Sequence, residues 1–501
     1  MIKLKGVFGI ILSAALLCIV LARIGPQFID YRGDSCQYII LAESVASGQG
    51  LRMVNFPGEP LSVIPPLLSW IMAPVIFFSG RNFWLMSLFA GIFSCLSVAA
   101  FYFLFRRSGG SRIALFAVFC LALNRIFIFY SASILTEPLF LCLCALSFLM
   151  LARYKDKTSF LNKEGVLAAL ALIAAYFARY IGAFLFFAGL LYLYSDRPDS
   201  AKSKDRLKKL IFLTILFLPP VILWGLRNLN IHNPYIMSPL EHFIWGGMPP
   251  GLVTPKPDFL VLRAIQGGSY YFYQIGVSIF PFLRKSSPVI WWNVFSLTAL
   301  VIMAAGIFTR IRKGQYGLAV FFLLYLIFIC LWPSFEDGRY FLPILPLVFF
   351  YFLSGLERLC GFIRLKHCFF AIAAILLIIH LVFTVRLARQ PDRAMAPPGL
   401  NNFLMLNTWL KENLAGDESV VLSRQPAITY LYSGHKSICY PYDPDPEAIR
   451  GEIVKHKIKY ILIGEFTPDT AFYMGPFLDK YRDSLQERYR QGESVIFEVL
   501  Q

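Results

Sequence analysis

The sequence predicts a polytopic α-helical membrane protein of about eleven transmembrane helices, with a small C-terminal extracytoplasmic α/β domain. Three observations predict it. The 501 residues are 57% hydrophobic and only 15% charged, a composition in which a water-soluble chain would aggregate. Apolar runs such as 7–24, 83–105 and 340–356 reach the length of a bilayer-spanning helix. The basic residues fall in short turns between those runs.

The net charge of +17 therefore marks topology and not a nucleic-acid partner, because basic loops face the cytoplasm. Residues 1–5 are basic and 6–20 apolar, as in a signal peptide. No small-x-small cleavage site follows, so an uncleaved first span with its N-terminus inside is expected. Basic turns then recur at Arg106, Arg107 and Arg112, and at 153–163, 197–209, 310–313 and 358–366. Neutral or acidic turns at 131–138, 179–180, 227–288 and 332–340 alternate with them. Residues 1–385 are thus expected to form the membrane part, with external loops at 25–82 and 227–288. Counting 63–78 as a span would turn every later basic stretch outward. It is expected instead as a helix in the outer interface, starting at Pro65-Pro66.

Residues 386–501 change character, being rich in charge and tyrosine. Helix-like patterns at 400–414 and 470–484, and strand-like ones at 419–423, 459–464 and 494–499, predict the α/β domain. The ten cysteines lie mostly in apolar runs without zinc spacing. Cys36 and Cys439 are the two expected outside the cytoplasm, where a bridge between them is one option. The six histidines form no HxxxH or HExxH pair, so no metal or other cofactor is assigned. No GxxxxGKS phosphate loop appears.

Ionisable groups near membrane depth are usually paired or functional. Here they gather at the expected outer end. Asp30, Arg32, Asp34, Glu43 and Glu59 lie in the first external loop, and Glu137 starts the fourth span. Arg125, Arg179, Arg227 and Arg339 end the third, fifth, seventh and ninth spans on that side. A carboxylate beside arginines suits activation of a hydroxyl next to a phosphate leaving group.

Each residue also has a plainer reading. Asp34, with Gln37 three residues on, makes a capping box for a helix beginning at Ser35. Thr136-Glu137-Pro138 is what a helix start looks like. A single arginine commonly snorkels to the interface. Arg227 stands out because "LWGLRNLNIHNP" ends a span in a donor-rich turn. Glu59, in "NFPGEPL", reads as a solvated turn residue or a substrate contact. Arg81, in a short external turn, is expected to matter little.

The stretches "GDSCQYIILAESVASGQGL…FPGEPLSVIPPLLSW", "SASILTEPLF", "FARYIGAFL", "LWGLRN…NP" and "GRYFLPILPLVFFYFLSGL" occur in this order. Together they resemble the GT-C superfamily of lipid-linked-sugar glycosyltransferases. The nearest branch holds bacterial relatives of the protein O-mannosyltransferases and the lipid A aminoarabinose transferase. The resemblance implies a polyprenyl-phosphate sugar donor, an inverting single displacement, and an acid in the first external loop as base. By position that acid is Asp34. Many relatives carry two adjacent acids there, where this chain has Asp34-Ser35. They often place a basic residue before the proline pair, where this chain has Ile64. An arginine elsewhere, such as Arg227, would take that role.

The combined reading is an integral-membrane glycosyltransferase of the cell (inner) membrane, acting on the extracytoplasmic side. It would move a hexosyl or pentosyl group to an acceptor hydroxyl on a lipid, glycan or protein. Asp34 would take the hydroxyl proton, and Arg227, with Arg179 or Arg339, would steady the departing phosphate. Glu137 would orient the acceptor or tune Asp34, with Arg125 and Glu59 as further substrate contacts. The rival, a transporter or lipid flippase, requires ionisable residues along a mid-membrane path, and the sequence shows few and no internal repeat. A binding module on an anchor would need fewer spans.

Overall fold

The computed structural model describes residues 34–194, 200–231, 243–244, 259–283, 287–388, 399–441, 443–464 and 468–500. The expected first span, Asp30, Arg32 and most of the loop 232–258 lie outside them. The chain folds as two compact units. One comprises Met1–Pro26, Trp84–Asn230 and Pro239–Gln390, the other Gln27–Phe83, Ile231–Ser238 and Pro391–Gln501. Residues 27–83 thus group with the C-terminal region, a grouping that a cut near residue 385 does not make.

The smaller unit opens with α1 (Asp34–Ala46), whose Cys36, Tyr38, Ile39, Ile40 and Leu41 are buried. Asp34 lies in the first turn of this helix, where the macrodipole favours a carboxylate. α1 packs on α2 (Leu67–Ser79), and Ser69 Oγ donates to the Tyr38 carbonyl at 3.2 Å. Thirteen residues span only ~20 Å, short of the ~30 Å hydrocarbon core. Trp70, Phe77 and Phe78 are 43%, 70% and 84% exposed on α2, the apolar edge an interface-lying helix carries. Between the helices, Glu59 sits in the left-handed region at φ 49° and accepts from Lys436 Nζ at 3.2 Å.

The larger unit is helical: α3 (Phe83–Gly109), α4 (Ser111–Ala122), α5 (Arg125–Tyr130), α6 (Thr136–Lys155), α7 (Lys163–Ala178) and α8 (Gly182–Tyr194) come first. They are followed by α9 (Ser200–Leu229), α10 (Phe259–Ile279), α11 (Val289–Arg312), α12 (Tyr316–Leu331), a 3-10 turn at Glu336–Ile344, α13 (Leu345–Phe362) and α14 (Lys366–Ala388). Side-chain caps set several starts. Asn124 accepts from Ile126 N at 2.9 Å and Asn162 from Gly165 N at 2.8 Å. Arg106 and Arg107 close α3, and Arg153 and Lys155 close α6, matching the negative ends of those helices. Lys209 on α9 donates to the carbonyls of Tyr154 and Lys155 at 3.2 Å each, tying α9 to the end of α6.

Among the described residues six helices are long and apolar enough to cross a membrane. Of four further expected spans, α4, α7 and α12 have only 12, 16 and 16 residues, and α8 has 13 described residues. The stretch expected as the loop 227–288 holds the 21-residue helix α10. It packs on α11 and α12, with Gly267 against the Cys330 carbonyl and Gly276 against Ser296. Its serines, tyrosines and Gln266 hid it from a span-length criterion.

In the C-terminal region, α15 (Leu400–Asn413), β1 (Val420–Ser423), α16 (Pro426–Ser433), β2 (Ser437–Ile438), α17 (Pro446–His456) and β3 (Ile458–Ile463) alternate. α18 (Pro468–Lys480), β4 (Leu485–Gln491) and β5 (Ser494–Val499) complete it. The sheet order is β2-β1-β3-β5-β4. Helices α16 and α17 supply the crossovers between the parallel strands β1, β2 and β3. A hairpin with Gly492 at φ 61° in its two-residue loop adds the antiparallel edge. Cys36 and Cys439 are thiols and form no bridge with each other.

Helices α11 and α13 approach backbone to backbone. A Cβ on Gly306 would strike the Tyr351 carbonyl, and one on Gly355 the Ile302 carbonyl. Small residues permit this backbone approach within a membrane. Gly355→Leu should therefore lower stability by ~1–3 kcal/mol or more, seen as a fall in the thermal midpoint in detergent. Gly361→Leu, at a glycine where an added Cβ meets open space, should leave the midpoint nearly unchanged.

Candidate active site

Glu137 is the centre of the polar cluster in the larger unit. It lies in the first turn of α6 and is fully buried. A lone carboxylate cannot remain charged there, and two guanidiniums meet it. Arg179, the residue that ends α7, donates to Glu137 Oε1 through Nη1. The same nitrogen donates to Thr136 Oγ1 at 3.1 Å. Arg339 donates to Glu137 Oε1 through Nε at 2.6 Å and is itself 3% exposed.

The turn at Glu336–Ile344 carries Glu336 and Arg339 three residues apart, and the two side chains meet. Arg339 Nη1 donates to Glu336 Oε2 at 2.9 Å, and Tyr340 OH donates to Glu336 Oε1 at 3.1 Å. Gly338, at φ 83°, takes a left-handed conformation that glycine adopts without strain. The Tyr340 ring faces both guanidiniums, at 5.5 Å from Arg179 and 5.9 Å from Arg339.

Arg227 belongs to a neighbouring group on α9. Its guanidinium lies over the Trp224 ring at 4.4 Å and donates to Asn228 Oδ1 at 2.9 Å. Trp224 and Asn228 stand one turn apart on the same helix face, and both donate to Tyr180 OH, at 3.0 and 3.3 Å. Tyr180 follows Arg179 directly, so this phenol ties the Arg227 group to the Glu137 group.

The structure therefore brings together Glu137, Arg179 and Arg339, and joins Arg227 to them through Trp224 and Tyr180. Arg125 stands apart, exposed in the first turn of α5. Asp34 and Glu59 belong to the smaller unit. Among the described residues no group of three or more His, Cys, Asp or Glu side chains could hold a metal ion. Sequence reasoning missed Glu336, Tyr340, Tyr180 and Trp224. The Glu336–Arg339–Tyr340 spacing in "SFEDGRYFLP" was the available signal. Arg81, expected to matter little, binds the Glu43 carboxylate and two backbone carbonyls within the smaller unit.

Residues 63–224 match the model of the family described as dolichyl-phosphate-mannose-protein mannosyltransferase. That stretch includes Glu137, Arg179, Tyr180 and Trp224. Among solved structures, ArnT from Cupriavidus metallidurans in the apo state is similar with a TM-score of 0.60 and 13% identity. The match covers 98% of this chain and 97% of that one. The same figures hold for ArnT bound to undecaprenyl phosphate. The archaeal oligosaccharyltransferase AglB from Archaeoglobus fulgidus, in complex with an inhibitory peptide and a dolichol-phosphate, is similar with a TM-score of 0.57 and 12% identity. That match covers 99% of this chain and 74% of that one. No curated protein matches the chain by sequence. At these identities the structural likeness is one of fold; together with the family-model match it bears out the resemblance drawn from the sequence to the GT-C membrane glycosyltransferases.

The ion pairs make a stability prediction. Glu137→Ala leaves Arg339 buried without this counter-charge and should destabilise the chain by ~3–5 kcal/mol. Arg125→Ala, at an exposed position, should stay within about 0.5 kcal/mol of the unaltered chain. Thermal unfolding in detergent reads both, and equal midpoints for the two variants would contradict the assigned network.

Proposed function

We propose that the chain is an integral-membrane glycosyltransferase that moves a sugar from a polyprenyl-phosphate donor to an acceptor hydroxyl on the extracytoplasmic side. The observation that carries this reading is the buried Glu137 with Arg179 and Arg339, joined to Arg227, in a fold shared with ArnT. That protein binds undecaprenyl phosphate in one of its structures, and AglB is in complex with a dolichol-phosphate.

In the proposed reaction the acceptor oxygen attacks the sugar C1 from the face opposite the phosphate. The C1–O bond to phosphate breaks, its electron pair leaves with polyprenyl phosphate, and the configuration at C1 inverts. Asp34 takes the acceptor proton. The leaving group gains one negative charge, which a preorganised guanidinium stabilises more than it stabilises the donor. Arg227 and Arg179 supply that group. Glu137 and Arg339, tied to each other and to Glu336, act as the support that orients Arg179.

The acceptor is a lipid, glycan or protein hydroxyl, and the sugar a hexose or pentose. A transporter reading gains nothing from this cluster, since its charges pair with one another at helix ends.

Incubating the purified chain with a panel of polyprenyl-phosphate sugars should release polyprenyl phosphate from at least one of them. Asp34→Asn should lower that release by ~10²–10⁴-fold, while losing only ~0.3–1 kcal/mol as a first-turn carboxylate. Arg227→Lys should also weaken release, because an ammonium lacks the planar two-pronged contact. Full turnover in Asp34→Asn would place the base elsewhere. No release from any donor, with the chain folded, would refute the proposed activity.

A further inference from the structure

Arg81 follows α2 in the turn 80–82, and its guanidinium is fixed on two helices of the smaller unit. Nη2 donates to Glu43 Oε1 and Oε2 on α1 at 2.9 and 3.1 Å. Nη1 donates to the Leu431 carbonyl at 3.1 Å and the Tyr430 carbonyl at 3.5 Å, near the end of α16. The Tyr430 ring lies 4.7 Å from the guanidinium carbon. α16 terminates at Gly434, which takes the left-handed φ of 86°, so Arg81 also meets the negative end of that helix. A planar fork can serve a carboxylate with one arm and carbonyls with the other, which a point charge cannot.

Glu43 and Asp34 share α1, about two and a half turns apart. α1 packs on α2 and α16, and the Arg81–Glu43 pair adds a directional polar tie to that packing.

We propose that Arg81 is a positioning residue for sugar transfer, acting through Glu43 to set the placement of α1 and hence of the Asp34 carboxylate. The inference rests on the reading of Asp34 as proton acceptor.

The test compares Asp34→Asn, Arg81→Ala, Arg81→Lys and Glu43→Gln in the full chain. It measures kcat, donor KM and the thermal midpoint with the polyprenyl-phosphate sugar of the panel that the unaltered chain turns over. Arg81→Ala should lower kcat by ~10²-fold, the scale of a ~1 Å misplacement, with donor KM within about twofold. Arg81→Lys and Glu43→Gln, which keep part of the contact, should fall between Arg81→Ala and the unaltered chain. A purely structural role would move the midpoint without separating kcat from KM.

Unchanged kcat in Arg81→Ala, alongside an inactive Asp34→Asn, would overturn the positioning role and leave Asp34 as base. Full turnover in Asp34→Asn would overturn the reading of Asp34, and this inference with it. If Arg81→Ala does not fold, Arg81→Lys and Glu43→Gln carry the same comparison, and unchanged kcat in both overturns the inference.

Discussion

A fully buried carboxylate held by two guanidiniums is the constraint around which the larger unit is organised. Glu137 cannot stay ionised at that depth without partners, and removal of either leaves an uncompensated charge. The start of α6, the end of α7 and the 3-10 turn must therefore converge on one point, although Arg179 and Arg339 stand 42 and 202 residues from Glu137 in the chain. The acid also sits where the α6 dipole favours it. Glu336 brings a second carboxylate to Arg339, so two acids and two arginines balance as a group.

That balance separates support from recognition. Arg339 spends its donors on Glu137 and Glu336, which suits a strut. Arg179 shares one nitrogen between Glu137 and Thr136, and the next residue, Tyr180, reaches the Trp224–Asn228 face on which Arg227 lies. An anion recruited there would meet cations whose positions are set before it arrives, which is the condition for electrostatic catalysis. In the smaller unit, the Arg81–Glu43 pair performs the matching task for the helix that carries Asp34.

Much of the architecture was legible from composition and periodicity. The helix 400–414 and the strands 419–423 and 459–464 were read within a residue or two of α15, β1 and β3, and 494–499 coincides with β5. Their alternation and hydrophobic runs are local. Strand β4 escaped because it is a polar run, LQERYRQ, that buries no residue, and β2 is only two residues long. The acids and arginines of the site were visible as charges near apolar runs, but their pairing was not. Glu137 and Arg339 meet through tertiary packing alone. The contacts of Arg81, read only as part of a short external turn, were not legible either, because nothing in its neighbourhood of sequence names Glu43 or the end of α16 as its partners.

The central claim is that the guanidiniums organised by Glu137 and Trp224 receive the phosphate of a lipid carrier. A cryo-electron-microscopy structure of the chain with undecaprenyl phosphate tests it most directly. The phosphate should lie within ~3 Å of a guanidinium nitrogen of Arg179 or Arg227, with Glu137 still bonded to Arg339. A phosphate bound away from both arginines, with their present contacts intact, would contradict the account.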